Sequence, residues 1–139
     1  MANIVELREK SNSELEEMLE NGREELFNLR FQHAALRVTD TNRIRIVRRQ
    51  IAQVTSVLHN RTLAIDAAAA QSDIAAALSG REYDATARYV YEDAAYTVEF
   101  SAESSTIATA LVNLNKKRPQ GRRGRAAGAP QLVVSHDVK

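Results

Sequence analysis

Residues 24–58, EELFNLRFQHAALRVTDTNRIRIVRRQIAQVTSVL, contain the ends of two helical stripes separated by a short polar break. Working outward, Leu15, Leu19, Gly22, Leu26, Leu29, His33 and Leu36 recur at alternating steps of four and three. Ile44, Val47, Ile51, Val54 and Leu58 keep the same rhythm after the break. Such spacing holds a stripe on one helix face, because 3.6 residues complete a turn. The break, Arg37 to Asn42, is too short for anything but a reversal. Asp40 is placed to cap the second helix by accepting a backbone N–H. The pattern is that of an antiparallel two-helix hairpin with one narrow seam.

Each helix also carries side chains that the seam cannot use. At about 100° per residue, Phe27 and Phe31 lie one turn apart and well off the stripe. Their expected partner is RNA, a neighbouring protein or the chain's own extension. On the second helix Arg45 and Arg49 share an outward face, Arg48 lies on its edge and Arg43 projects from the opposite flank. Four guanidinium groups so close repel one another unless anions lie against them, and the planar guanidinium fork matches phosphate oxygens. His33, on the stripe, is expected to be a packed or hydrogen-bonded structural histidine.

At this point the residues resemble a known family. ELREKS (residues 6–11), SELEEML (13–19), EELFNLRFQHA (24–34), RIRIVRRQIA (43–52) and SVLHNR (56–61) are similar to the ribosomal protein family twenty-nine of the large subunit, and the likeness covers roughly residues 4–61. Family members usually have Gly after the Ala-rich helix end and Asn-Pro at the start of the second helix. Here Leu36 and Asp40-Thr41 stand instead. Asp is a competent cap and Thr is tolerated at the first helical position. The resemblance implies a structural constituent of the large ribosomal subunit that binds ribosomal RNA. It places such a protein beside the mouth of the nascent-chain exit tunnel, next to ribosomal protein twenty-three, in the cytoplasm. It implies no enzymatic activity, no cofactor, no metal, no membrane partner and no homo-oligomer. On the hairpin the candidate RNA-binding residues are Arg30, Arg37, Arg43, Arg45, Arg48 and Arg49, with Phe27 and Phe31 as apolar docking side chains.

Composition narrows the function classes further. The 139 residues contain no cysteine, so no disulfide frame or Cys-based metal site exists, and His33, His59 and His136 have no ligand spacing. No carboxylate stands in a motif with a histidine, and neither a glycine-rich phosphate loop nor a nucleophile motif occurs, which argues against an enzyme. The opening MANIVELREK has no long apolar run, so neither a signal peptide nor a membrane span is expected. The small net charge of +1 hides segregation: residues 1–61 carry +1, residues 62–115 carry −6 and residues 116–139 carry +6.

Along the chain, Ile4, Val5 and Leu7 are expected to pack back on the hairpin base. Ser11 or Ser13 caps the first helix, the latter with Glu16 in capping-box position. The many glutamates of that helix form a solvated acidic face or a protein-binding one. Beyond Arg61, residues 62–115 form an acidic extension. In it the Ala-rich stretch to Leu78 either continues the second helix or starts a new one near Ser72-Asp73, and Gly80 ends it. ARYVYEDAAYTVEF, residues 87–100, alternates around Glu92-Asp93-Ala94 as a β-hairpin would. A short helix capped by Ser104 or Ser105, with Ile107, Leu111 and Leu114, would complete an α-β-β-α unit. Tyr89, Tyr91 and Tyr96 either pack or stack on bases, and the scarcity of nearby cations favours packing.

KKRPQGRRGRAAGAP, residues 116–130, cannot bury a core and is expected to be disordered alone within a flexible basic tail, 116–139. Lys116, Lys117, Arg118, Arg122, Arg123 and Arg125 are each candidates for a phosphate contact. The fold class expected is mainly α: a helical hairpin, a small α+β extension and a basic tail. The alternative function is a non-ribosomal helical interaction module, which salt would weaken far less than phosphate binding.

Overall fold

The computed structural model describes residues 3–35, 42–102, 105–116 and 131–139. The chain divides into two compact units, Met1–His59 and Asn60–Lys139.

In the first unit, α1 (Ile4–Glu9) is followed by α2 (Asn12–Ala34), and α3 (Asn42–Ala69) supplies its first turns. Two serines could open α2, and Ser11 does: its Oγ accepts from the Glu14 N–H at 3.2 Å, and its own N–H donates to the Glu14 carboxylate at 2.8 Å. The Ser11 N–H, and after it the Ser11 hydroxyl donating to the same carboxylate oxygen at 2.8 Å, hold the Glu14 carboxyl below its ordinary value. The box therefore belongs to Ser11 and Glu14, not to Ser13 and Glu16. Of the three apolar residues expected to pack back, Leu7 is fully buried, whereas Ile4 and Val5 remain exposed.

The hairpin is antiparallel, because partners run in opposite order along α2 and α3. Gly22 faces Ile51 and His33, further along α2, borders Ile44 near the start of α3, while the long Arg43 side chain reaches back to Glu25. Leu7, Leu15, Val54 and Val57 form the core of this unit, flanked by Met18, Leu19 and Leu58. Each fully buried aliphatic side chain contributes about 2 kcal/mol, so so small a core leaves the unit marginal. Leu26, Leu29, Ile44 and Ile51 are half-buried along the seam, while Val57, off the expected stripe, joins the core. His33 is exposed, contrary to the packed role expected, because the seam's burial has faded by that end of α2. The reversal at residues 36–41, with Arg37 and the Asp40 cap, lies outside the described residues.

In the second unit both expectations for the Ala-rich stretch are realised: α3 runs on to Ala69, and α4 (Ser72–Leu78) starts afresh. Gly80, at φ +74, takes the left-handed conformation that lets the chain leave the helix. Four antiparallel strands follow in the order β1 (Asp84–Val90), β2 (Ala95–Ala102), β3 (Ser105–Val112), β4 (Val133–Val138). β1 and β2 pair without interruption from Asp84↔Ser101 to Val90↔Ala95 around the turn Tyr91–Ala94. Ile74 and Leu78 of α4 bury against Val98, Phe100, Ala110 and Val112 of the sheet, and Ala64 and Ala68 of α3 enter the same core.

Three expectations need correction here. "Mainly α" fits the hairpin, but four strands make the second unit α+β. The helix expected over Ile107, Leu111 and Leu114 is strand β3 up to Val112, with Leu114 in the turn beyond it. Its helical spacing is accidental: a register shift at Phe100/Ser101 buries Ile107 beside Ala108, and Ala108, Ala110 and Val112 alternate as a strand requires. The tail is not flexible throughout, since the β-branched residues around Val133 let Val133–Val138 pair with β3. Asp73 of α4 receives β4's His136, Nε2 to Oδ2 at 3.0 Å.

Candidate nucleic-acid interface

The first turns of α3 present the arginine cluster. Arg43, Arg45, Arg48 and Arg49 are all exposed, because the seam needs only Ile44, Val47 and Ile51 from this stretch. They are not equivalent. Arg43 reaches back across the hairpin, its Nε 2.7 Å and its terminal nitrogen 2.6 Å from one carboxylate oxygen of Glu25. Half the Arg43 side chain remains exposed, so this pair is screened and worth under about 1 kcal/mol. It nonetheless neutralises the flank on which Arg43 lies.

Arg45 and Arg48 turn the other way. With Ile44 and the exposed His33 of α2 they line a shallow, open cavity of about 420 Å³. Among the described residues its lining has two guanidinium groups and no carboxylate. An anion resting there would meet donors from both helices. Arg49 is exposed one helical turn beyond Arg45. The Arg45 and Arg48 juxtaposition with His33 was not legible in the stripe pattern, which counted His33 as seam.

On α2, Arg30 is exposed, and Phe27 and Phe31 are each 70% exposed. Two phenyl rings one turn apart at that exposure form an apolar step on an otherwise acidic helix. Lys116, just after β3, is exposed as well. Arg37, Lys117, Arg118, Arg122, Arg123 and Arg125 lie outside the described residues.

One cation escaped notice in the sequence. Arg61, at the close of the family-like segment, is only 7% exposed within the second unit. Burial pushes its guanidinium below the ordinary value; the Tyr96 hydroxyl works against this and the neighbouring Arg88 charge adds to it. It is engaged by neighbouring groups and serves the fold of that unit. A single cation between the seam and an alanine-rich apolar run was the available signal. The tyrosines pack on one another: Tyr89 meets Tyr96 at 5.1 Å and Tyr91 at 5.0 Å, edge to face.

Among the described residues no group of His, Cys, Asp or Glu is arranged to hold a metal ion, and no helix is long and apolar enough to cross a membrane.

Comparison with known proteins matches residues 5–61 to the family model described as ribosomal L29 protein. A Mycobacterium protein (strain KMS) named large ribosomal subunit protein uL29 is 50% identical over 60 residues, 43% of this chain and 78% of the relative. The protein of the same name from Corynebacterium aurimucosum is 48% identical over 63 residues, covering 45% of this chain and 83% of the relative. That from Mycobacterium ulcerans is 46% identical over 68 residues, covering 49% and 85%. No solved structure matches. With half of its residues shared across most of each relative's length, the hairpin part of the chain carries the family signature, and the protein belongs to the ribosomal L29 family.

Proposed function

We propose that this protein is a structural constituent of the large ribosomal subunit and that its hairpin binds ribosomal RNA through the first turns of α3. The observation that carries the proposal is the split of the arginine cluster. Glu25 compensates Arg43, while Arg45 and Arg48 line a basin that has no carboxylate among the described residues. Cations held by a helix at fixed spacing, with no internal counter-charge, gain most from phosphates. The exposed Arg49 and Arg30, and Arg37 with Lys116, Lys117, Arg118, Arg122, Arg123 and Arg125, supply further phosphate contacts.

Contacts of this type position the protein, and RNA shape rather than base sequence selects the site. In keeping with the family, its place is beside the nascent-chain exit tunnel, next to ribosomal protein twenty-three, and its location is the cytoplasmic ribosome. The family is structural and non-enzymatic.

The test compares the full chain with its R45Q/R48Q/R49Q variant in binding to large-subunit ribosomal RNA over a salt series. Each lost phosphate contact lowers the slope of log K against log salt by about 0.7–0.9, so the triple variant should lose about 2–3 units of slope. An unchanged slope would overturn the proposal. A second possibility, a helical protein-interaction module, is favoured by one observation, the exposure of Phe27 and Phe31. Its signature would be binding to a protein that survives high salt and is lost in F27A/F31A.

A further inference from the structure

We infer that the free edge of β1 is a docking site for an extended, cationic segment of another protein, which adds to the sheet as a fifth strand. This does not rest on the RNA-binding proposal, since β1 lies outside the segment shared with the family.

A sheet of four strands in the order β1-β2-β3-β4 has two edges, and they differ. The β4 edge is irregular: its pairing with β3 shifts register at Leu111/Val112, and His136 is drawn to Asp73 of α4. Bulges and local anchoring are the usual ways in which an edge is made unfit for a further strand. The β1 pairing shows no such shift. All seven of its residues pair in one continuous register with β2, and the segment DATARYV has no proline, glycine or lysine. Among the described residues no strand lies on its other side. Seven regular residues are enough for main-chain pairing with an extended peptide, the usual basis of strand addition.

The surroundings select the partner. Tyr83 and Tyr91 stand at the two ends of β1, 44% and 50% exposed, held by edge contacts to Phe100 and Tyr89. They offer apolar platforms at either end of an added strand. The hairpin around them, residues 81–102, sets two cations against five carboxylates: Glu82, Asp84, Glu92, Asp93 and Glu99, all exposed. An acidic hairpin attracts a basic strand and repels a second copy of itself, so the complementary occupant is a lysine- or arginine-bearing segment rather than another β1.

The experiment titrates the ¹⁵N-labelled full chain with a ten-residue peptide of alternating valine and lysine, following amide shifts and hydrogen exchange. The expected result is slowed exchange and saturable shifts confined to residues 84–90 and their β2 partners. Binding should weaken about fivefold in the D84K/E92K variant, whose changes are at exposed positions and leave the core intact. It should disappear when every peptide nitrogen is methylated, which removes the donors from both edges of the added strand. The inference is overturned by any of four results: no shift in 84–90 at millimolar peptide; protection at β4 or on the sheet face instead; equal binding of the methylated peptide or of a valine–glutamate peptide; or a free protein that sediments as a dimer protected along β1.

Discussion

Gly22 is the point where α2 and α3 come nearest to a test of close packing. A Cβ built there lies 3.1 Å from Ile51 Cγ1 and 3.8 Å from its Cδ1. Alanine at this position has two opposed effects. It gains about 1 kcal/mol of helix propensity over glycine. Against this, the half-buried Ile51 side chain must give by a few tenths of an ångström, and leaving its rotamer minimum costs about 0.5–1.5 kcal/mol. The two nearly cancel, so G22A should change the stability of the hairpin by less than about 1 kcal/mol.

Isoleucine is different, because a branched Cβ cannot point both γ carbons away from Ile51. Forcing extra methyl groups into a filled seam costs about 2–3 kcal/mol and the propensity gain returns only about 0.5 kcal/mol. The net loss, about 2 kcal/mol, corresponds to roughly 8–16 °C in the midpoint of a unit this size. The assay is native-state hydrogen exchange of amides in α2 and in residues 42–59 of α3, which reads the hairpin separately from the second unit. The double variant G22I/I51A should recover at least about 1 kcal/mol relative to the sum of the single changes. If G22I protects its amides as well as the parent, or if I51A brings no recovery, the seam does not close at Gly22 and the packing argument fails.

Other outcomes follow from the same contacts. S11A should shorten protection at the start of α2 and cost about 1 kcal/mol, while S13A should change little, because Glu14 N–H bonds to Ser11. E25Q releases Arg43 from its exposed ion pair, so stability should fall by under about 1 kcal/mol while the salt slope of RNA binding steepens by about one contact; an unchanged slope would show that Arg43 does not reach phosphate. The Asp73 carboxyl is held below its ordinary value of 3.8, first by His136 and then by Ser72. A folded value below the unfolded one means the contact stabilises above the unfolded value and is lost as pH falls through the folded one. Amides of β4 should therefore loosen in acid below about pH 4. D73N should abolish that acid transition, and its persistence in the variant would assign it to another carboxylate.

The hairpin and the exposure of its arginines and phenylalanines were legible in the order of residues, because both follow from one period. Leu15, Val54 and their neighbours repeat every three to four positions, and whatever falls off that period must face solvent or a partner. The partition of the arginines was not legible. Arg43 and Arg45 are two residues apart, yet one meets Glu25 and the other borders His33. That distinction depends on the rotation of α3 against α2, which spacing along one helix does not encode.

The second unit marks the boundary more sharply. The turn Tyr91–Ala94 and the strands beside it are local, so alternation revealed them. β3 and β4 are not local: Val133 lies far along the chain from its partner Val112, and their strand state comes from pairing with neighbours already in place. Alanine at 108 and 110 says little about period, and the irregular pairing at Phe100/Ser101 made Ile107 look helical. The repeat of leucine, isoleucine and valine thus settled the helices before any partner was known, since each stripe carries its own period. The sheet, the burial of Arg61 and the contrast between a regular β1 edge and an anchored β4 edge arise only when distant segments meet, because their burial and hydrogen bonds belong to the pairs and not to either strand alone.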